Sequence, residues 1–150
     1  ISNLFQKIKA TEEDQTEELK IIKTKLKSFG LEEGLCLVDK NSFNYFSWVS
    51  FRKKEREQSP VFIISVSLNI DLEKVKNEKY EEIIRYLEKI YIKTLRHSDI
   101  ICRWNKVQYL ILFNGVNLFK VQEIINRIRS EFYKNNLPQE VIINLDCIEL

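Results

Sequence analysis

Val61-Phe62-Ile63-Ile64-Ser65-Val66-Ser67-Leu68 is the segment that leaves the fewest folds open. It is β-branched and nearly all apolar, and it lies between Ser59-Pro60 and a polar stretch from Asn69 to Asn77. It is too short for a buried helix, so it is predicted to be a central strand buried on both faces. Such a strand needs partner strands on each side and helices or a second sheet to cover it.

The flanking sequence supplies both. Tyr80, Ile83, Ile84, Leu87, Ile90, Tyr91 and Leu95 recur at helical spacing and form one continuous apolar stripe. Asp99 to Trp104 and Val107 to Phe113 read as two strands around a tight turn at Asn105-Lys106. Asn suits that turn because it tolerates positive φ. Asn114-Gly115 ends the hairpin, and Leu118, Val121, Ile124, Ile125, Ile128 and Phe132 form a second stripe. After Asn135-Asn136 and Pro138, Val141 to Leu150 reads as a last strand.

Upstream, Leu35 to Val38 is a short strand, and Asp39 or Asn41 is placed to cap a helix ending near Glu57. Phe43, Phe46, Val49 and Ser50 are its expected inner face. Residues 1 to about 15 are mixed and polar. From Thr16 to Phe29, Leu19, Ile22, Leu26 and Phe29 predict an amphipathic helix that Gly30 stops. The expected plan is α+β: a ferredoxin-like βαββαβ sheet with helices packed on it, in residues 35–150, preceded by an N-terminal linker with a helix in residues 1–34. The chain contains no Met and begins at Ile1, as expected of a piece of a longer protein.

Charge and cysteine content exclude several function classes. With 24 basic against 22 acidic side chains, the net charge is +2, too little for sequence-independent DNA binding. The basic cluster Arg52-Lys53-Lys54-Glu55-Arg56 suits the last turn of a helix, where cations complement the macrodipole. Cys36, Cys102 and Cys147 form no CxxC pair, and His97 is the single histidine, so no Cys/His metal site is expected. Three reduced, buried thiols in a cytoplasmic protein are the plain reading. No apolar run approaches the length of a membrane span, and no Ser/His/Asp or Cys/His arrangement is present.

The helix, Ser-Pro break, apolar strand, long helix, Arg96-x-x-Asp99, hairpin and helix follow one another in an order and spacing that resembles the GGDEF domain of nucleotide cyclases. The hairpin Arg103-Trp104-Asn105-Lys106-Val107-Gln108-Tyr109 is closer still to the degenerate GGDEF-like domain at the C-terminus of SARP-type regulators, which carry a bacterial transcriptional activator domain. In those regulators the hairpin reads roughly Arg-Tyr-Ser-Pro-Ser-Gln-Tyr. Their Cys-x-x-x-x-Phe stretch and basic helix resemble Cys36 to Phe43 and Arg52 to Arg56.

The resemblance implies where cyclase chemistry would sit. Active domains hold divalent metal on carboxylates, which clamps the phosphates and helps activate the 3′-hydroxyl. Counting from Pro60, the two acidic positions fall on Ser67 and Asn69. The paired glycines correspond to Asn105 and Lys106, and the motif's two acids to Val107 and Gln108, with Tyr109 closing the motif. No catalytic residue, metal or cofactor is therefore expected. Asp71 and Glu73, in the loop after the strand, read as solvated.

In active cyclases an Arg-x-x-Asp site before the motif binds cyclic di-GMP. The five residues Ile100 to Trp104 separate Asp99 from Asn105, the spacing of that site. Arg96, Asp99 and Arg103 are thus candidate ligand-binding residues, against a local ion pair between a helix end and a strand start.

The expected function is a non-catalytic regulatory or assembly domain of a bacterial transcription regulator, working through contacts with other domains of the parent protein or as a homodimer. Direct DNA contact would lie elsewhere in the regulator. A cyclic di-GMP or guanine-nucleotide sensor is the alternative, and an active diguanylate cyclase the remote one. Trp48 and Tyr45 are candidate contact residues if they are exposed.

Overall fold

The computed structural model describes residues 2–28, 35–134 and 141–150, with side chains for 12–25, 35–134 and 141–150. Two compact units are present, Ile1–Glu32 and Glu33–Leu150. The first contains helix α1 (Ser2–Ser28). It starts well before Thr16 because residues 2–15 contain no Gly or Pro to interrupt a helix once begun. Leu19 and Ile22 are exposed. The Leu26 side chain, Phe29 and Gly30 lie outside the described residues.

The second unit runs β1 (Cys36–Val38), α2 (Lys40–Glu57), β2 (Val61–Asn69), α3 (Asn77–Thr94), β3 (Ile100–Asn105), β4 (Gln108–Asn114), α4 (Leu118–Tyr133) and β5 (Ile142–Glu149). The sheet order is β1-β3-β4-β2-β5. From β2 onward this is the expected βαββαβ arrangement, with β2 antiparallel to both β4 and β5. β1 adds a short strand parallel to β3. Asn135-Asn136 and Pro138, read as the break before the last strand, lie outside the described residues.

β2 is central, but its two faces differ. Phe62, Ile64, Val66 and Leu68 join Ile83, Leu87 and Tyr91 of α3 and Val121, Ile125 and Ile128 of α4 in the main core. On the opposite face Phe43 of α2 packs with Val61, Cys102 and Leu112, while Ile63, Ser65 and Ser67 are only half-buried. The expectation of burial on both faces is corrected here. The serines mark the side that α2 covers incompletely.

α2 starts at Asp39, whose side chain accepts from the Ser42 N–H at 2.7 Å. It ends at Gln58 with φ 53°, in the left-handed region. Only Phe43 and Ser50 are buried along it, and Phe46 and Val49, expected to face inward, are exposed. A helix resting on the sheet along a narrow line buries a narrower stripe than one wedged against both sheet and helix, as α3 is. Leu118, in the first turn of α4, is likewise exposed rather than part of the buried stripe.

The hairpin turn falls at Lys106-Val107, one residue later than expected, with a register irregularity between Arg103 and Asn105. Among the described residues Gln58 is the non-glycine with positive φ, so Asn105 does not use that conformation. Its side chain instead accepts from the Val107 N–H at 2.9 Å, the other way in which Asn makes turns. Gly115 does take positive φ, 67°, and its N–H donates to the Pro60 carbonyl at 3.0 Å. Of the three thiols, Cys102 is buried, and Cys36 and Cys147 are half-buried; burial pushes all three pKa values up.

Tyr91 is completely buried, its ring edge-on to Tyr109 at 5.1 Å, and its hydroxyl has no hydrogen-bond partner among the described residues. An unpaired buried hydroxyl costs about 1–3 kcal/mol. Tyr91→Phe removes that cost while keeping the ring, so it is expected to raise stability by about 1 kcal/mol, measured as a higher urea midpoint at unchanged slope.

Candidate functional site

β2 and the β3–β4 hairpin converge at one end of the sheet. Ser67 stands opposite Gln108 on β4 and Asn144 on β5, and Asn69 stands opposite Ile142. The Leu68 N–H donates to the Val107 carbonyl at 2.8 Å, joining the strand end to the turn.

Around the turn the polar side chains bond one another. Gln108 Nε2 donates to Ser65 Oγ at 2.8 Å, and Asn105 Nδ2 donates to Gln108 Oε1 at 3.3 Å. Asn105 and Lys106 are exposed, while Val107 packs on the core. Ser67, Asn69, Asn105, Lys106, Val107 and Gln108 supply no carboxylate. Among the described residues no group of three His, Cys, Asp or Glu side chains is placed to hold a metal ion. The residues at these positions do not fit the divalent metal of cyclase chemistry.

A cavity of about 290 Å³ opens beside Asn69, with Asp71, Lys74 and Lys79 in its lining. Asp71 Oδ1 accepts from the Glu73 N–H at 3.0 Å, and Oδ2 lies 4.0 Å from Lys74 Nζ. This carboxylate organises the loop before α3.

On the helical side, Tyr109 is buried and its hydroxyl donates to Glu88 Oε1 at 3.1 Å. Burial, and then the Glu88 carboxylate, push its phenol pKa up. Arg103, opposite Tyr109 on β3, donates to the Tyr80 hydroxyl at 2.5 Å, and that hydroxyl donates to the Lys106 carbonyl. Arg103 therefore fastens the hairpin to α3. Tyr80 and Glu88 read in the sequence as part of a helical stripe and its flank; their pairing with a strand more than twenty residues away carries no local signal.

Arg96 and Asp99 meet at the other end of β3. Arg96 Nε and Nη2 donate to Asp99 Oδ1 at 3.2 and 2.9 Å, and the Arg96 backbone N–H donates to Oδ2 at 2.7 Å. Arg96 Nη2 also donates to the Asn114 carbonyl at 3.2 Å. Asp99 has no exposed surface, whereas the Arg96 side chain is 47% exposed. The structure thus brings Arg96 and Asp99 together, and places Arg103 with Tyr80 and the hairpin instead.

The sheet order, the β2–hairpin convergence and the covering helices define the fold of GGDEF nucleotide cyclase domains. A DGC protein from Thermotoga maritima superposes with TM-score 0.64 at 16% identity, over 79% of this chain and 85% of that one. The coiled coil and GGDEF domain of DgcB from Caulobacter crescentus, in complex with c-di-GMP, gives 0.69 at 12% identity, over 95% and 83%. SiaD from Pseudomonas aeruginosa, a diguanylate cyclase in complex with its activator SiaC, gives 0.73 at 11%, over 97% of this chain and 60% of that one. Identities this low establish the fold alone. No protein-family model matches the chain, and no curated protein matches it in sequence. Among the described residues no helix is long and apolar enough to cross a membrane.

Proposed function

We propose that this domain is a non-catalytic regulatory and assembly module of a bacterial transcription regulator, acting through protein contacts with other domains of its parent chain or with a second copy. The observation that carries this reading is the side-chain set where β2 meets the hairpin. Ser67 and Asn69 occupy the strand end, and Asn105, Gln108 and Ser65 bond one another beside it. A cyclase needs carboxylates there to hold metal, and glycines at the turn to admit phosphates. Loss of a single preorganised electrostatic contact costs on the order of a hundredfold in rate, and here the whole set is replaced. The SARP-type resemblance of the hairpin supports reading the module as part of a transcription regulator, with DNA contact in another domain.

A guanine-nucleotide sensor at Arg96 and Asp99 is less well supported by the geometry. A ligand would have to take the Arg96 guanidinium from a carboxylate that has no solvent exposure.

Incubation with GTP and magnesium or manganese, followed by chromatography, is expected to yield no product above a buffer control. Measurable turnover that depends on the protein would overturn the non-catalytic reading.

A further inference from the structure

α2 turns more aromatic surface to solvent than to the core. Phe43 and Ser50 face inward, while Tyr45 and Trp48 are 61% and 54% exposed, with Val49 and Phe51 also exposed. Trp48 and Val49 lie three and four residues after Tyr45, and Arg52 and Arg56 follow Trp48 in steps of four, so the five form one stripe on the side opposite the buried residues. The stripe has internal order. The Tyr45 and Trp48 rings lie 6.2 Å apart, and the Arg52 guanidinium sits 5.3 Å from the Trp48 ring centroid.

The charges along this helix are unevenly satisfied. Lys53 approaches Glu57 at 4.0 Å, and Lys54 turns in to donate to the Leu150 carbonyl. Arg52 and Arg56 have no ion-pair partner among the described residues. α2 carries Lys40, Arg52, Lys53, Lys54 and Arg56 against Glu55 and Glu57, a surplus larger than the +2 of the entire chain.

We propose that this stripe is the docking surface for an acidic amphipathic helix of a partner protein. Apolar residues of that helix would cover Tyr45, Trp48 and Val49, and its carboxylates would meet Arg52 and Arg56 one to two turns further along. The proposal rests on reading the domain as a protein-contact module, and it names the surface and the chemistry of the partner. The stripe from Tyr45 to Arg56 extends about 16 Å along a straight helix, a length suited to a second helix laid beside it. Aromatic and Arg side chains in such a row are the usual anchors of protein interfaces. A bilayer is a poorer fit, because Asn41 and Asn44 interrupt the exposed surface and the two arginines without ion-pair partners among the described residues, Arg52 and Arg56, both lie towards its C-terminal end.

The test uses the full chain and a labelled synthetic helical peptide of about 20 residues, with leucines at three- and four-residue spacing and glutamates towards one end, compared by fluorescence anisotropy with a twin carrying lysines for the glutamates. The glutamate peptide is expected to bind at least about tenfold more tightly than the lysine peptide. Trp48→Ala is expected to weaken that binding by at least about tenfold, and Arg52→Glu with Arg56→Glu to reverse the preference. These side chains are exposed, so circular dichroism of the variants should match the parent. Equal affinity for the two peptides, or no saturable binding, overturns the proposal. So does binding to phosphatidylserine vesicles that Trp48→Ala abolishes while the glutamate peptide fails to bind. Self-association in sedimentation that is lost in Trp48→Ala would assign the face to a second copy instead. Failure here leaves the GTP result standing, whereas turnover of GTP would remove the reading beneath the proposal.

Discussion

Replacing Phe132 by alanine is expected to lower the stability of the domain by about 4 kcal/mol, while Phe119→Ala on the same helix changes it by less than about 0.5 kcal/mol. The residue type and the helix are the same, and the environments are opposite: Phe132 is 1% exposed and Phe119 is 73% exposed. Phe132 sits in the main core, with its ring 6.4 Å from Tyr86 and 5.3 Å from Tyr133. Truncation loses the transfer free energy of the ring and leaves a cavity in the main core that close packing cannot refill. Against a total stability of roughly 5–15 kcal/mol for a domain of ordinary size, the loss at residue 132 is large. Urea denaturation measures both variants. Similar losses at the two positions would mean that α4 is rotated about its axis from the orientation described.

Asp99→Ala is expected to cost about 3 kcal/mol. The Asp99 carboxylate is completely buried and accepts from the Arg96 backbone N–H and twice from its guanidinium. Through Arg96 it also holds the hydrogen bond to the Asn114 carbonyl, which ties the connection from α3 to β3 to the end of β4. Removing the carboxylate leaves that backbone N–H unpaired and frees the guanidinium. Because Arg96 is half exposed and regains water, the cost falls below that of breaking a fully buried pair. Asn at this position keeps the shape and one acceptor, and should recover part of the loss. A change below about 1 kcal/mol for Asp99→Ala, in the range of an exposed pair, would show that the pair does not organise this connection and would free both residues for a ligand.

The elements whose contacts are set by one face were legible in the sequence. On α3 the stripe Tyr80, Ile83, Ile84, Leu87, Ile90 and Tyr91 is buried throughout, because the helix packs against both the sheet and α4. The β2 run was legible as central but not in its asymmetry. Ser65 and Ser67 differ from their apolar neighbours by too little, in so short a segment, to reveal a half-open face. α2 shows a different obstacle. Its aromatic content suggested a wide inner face, but the width of a buried stripe depends on what the helix rests against, which spacing does not encode. At the candidate site the lack of acids at Ser67, Asn69, Val107 and Gln108 was readable directly. The bonds that occupy the site were not, because Ser65–Gln108 and Tyr80–Arg103 join residues far apart in the chain. Arg103 illustrates the consequence: it follows the Arg96–Asp99 pair closely in the chain, yet from β3 it belongs to the hairpin end.

The pairing of β2 with β5 also governs how the domain is made. Phe62 to Asn69 are bonded in register to Glu149 to Ile142, so the central strand acquires one of its two neighbours from the far end of the unit. A nascent chain emerging from the ribosome can form α3 and the β3–β4 hairpin early, since their contacts are local, but β2 keeps an open edge until residues 142–149 have cleared the exit tunnel. Closing a loop of that length before the reward of pairing slows folding relative to helical domains of equal stability. During that interval the apolar run from Val61 to Leu68 is the segment most in need of protection, by a chaperone or by the hairpin itself, from pairing with other chains.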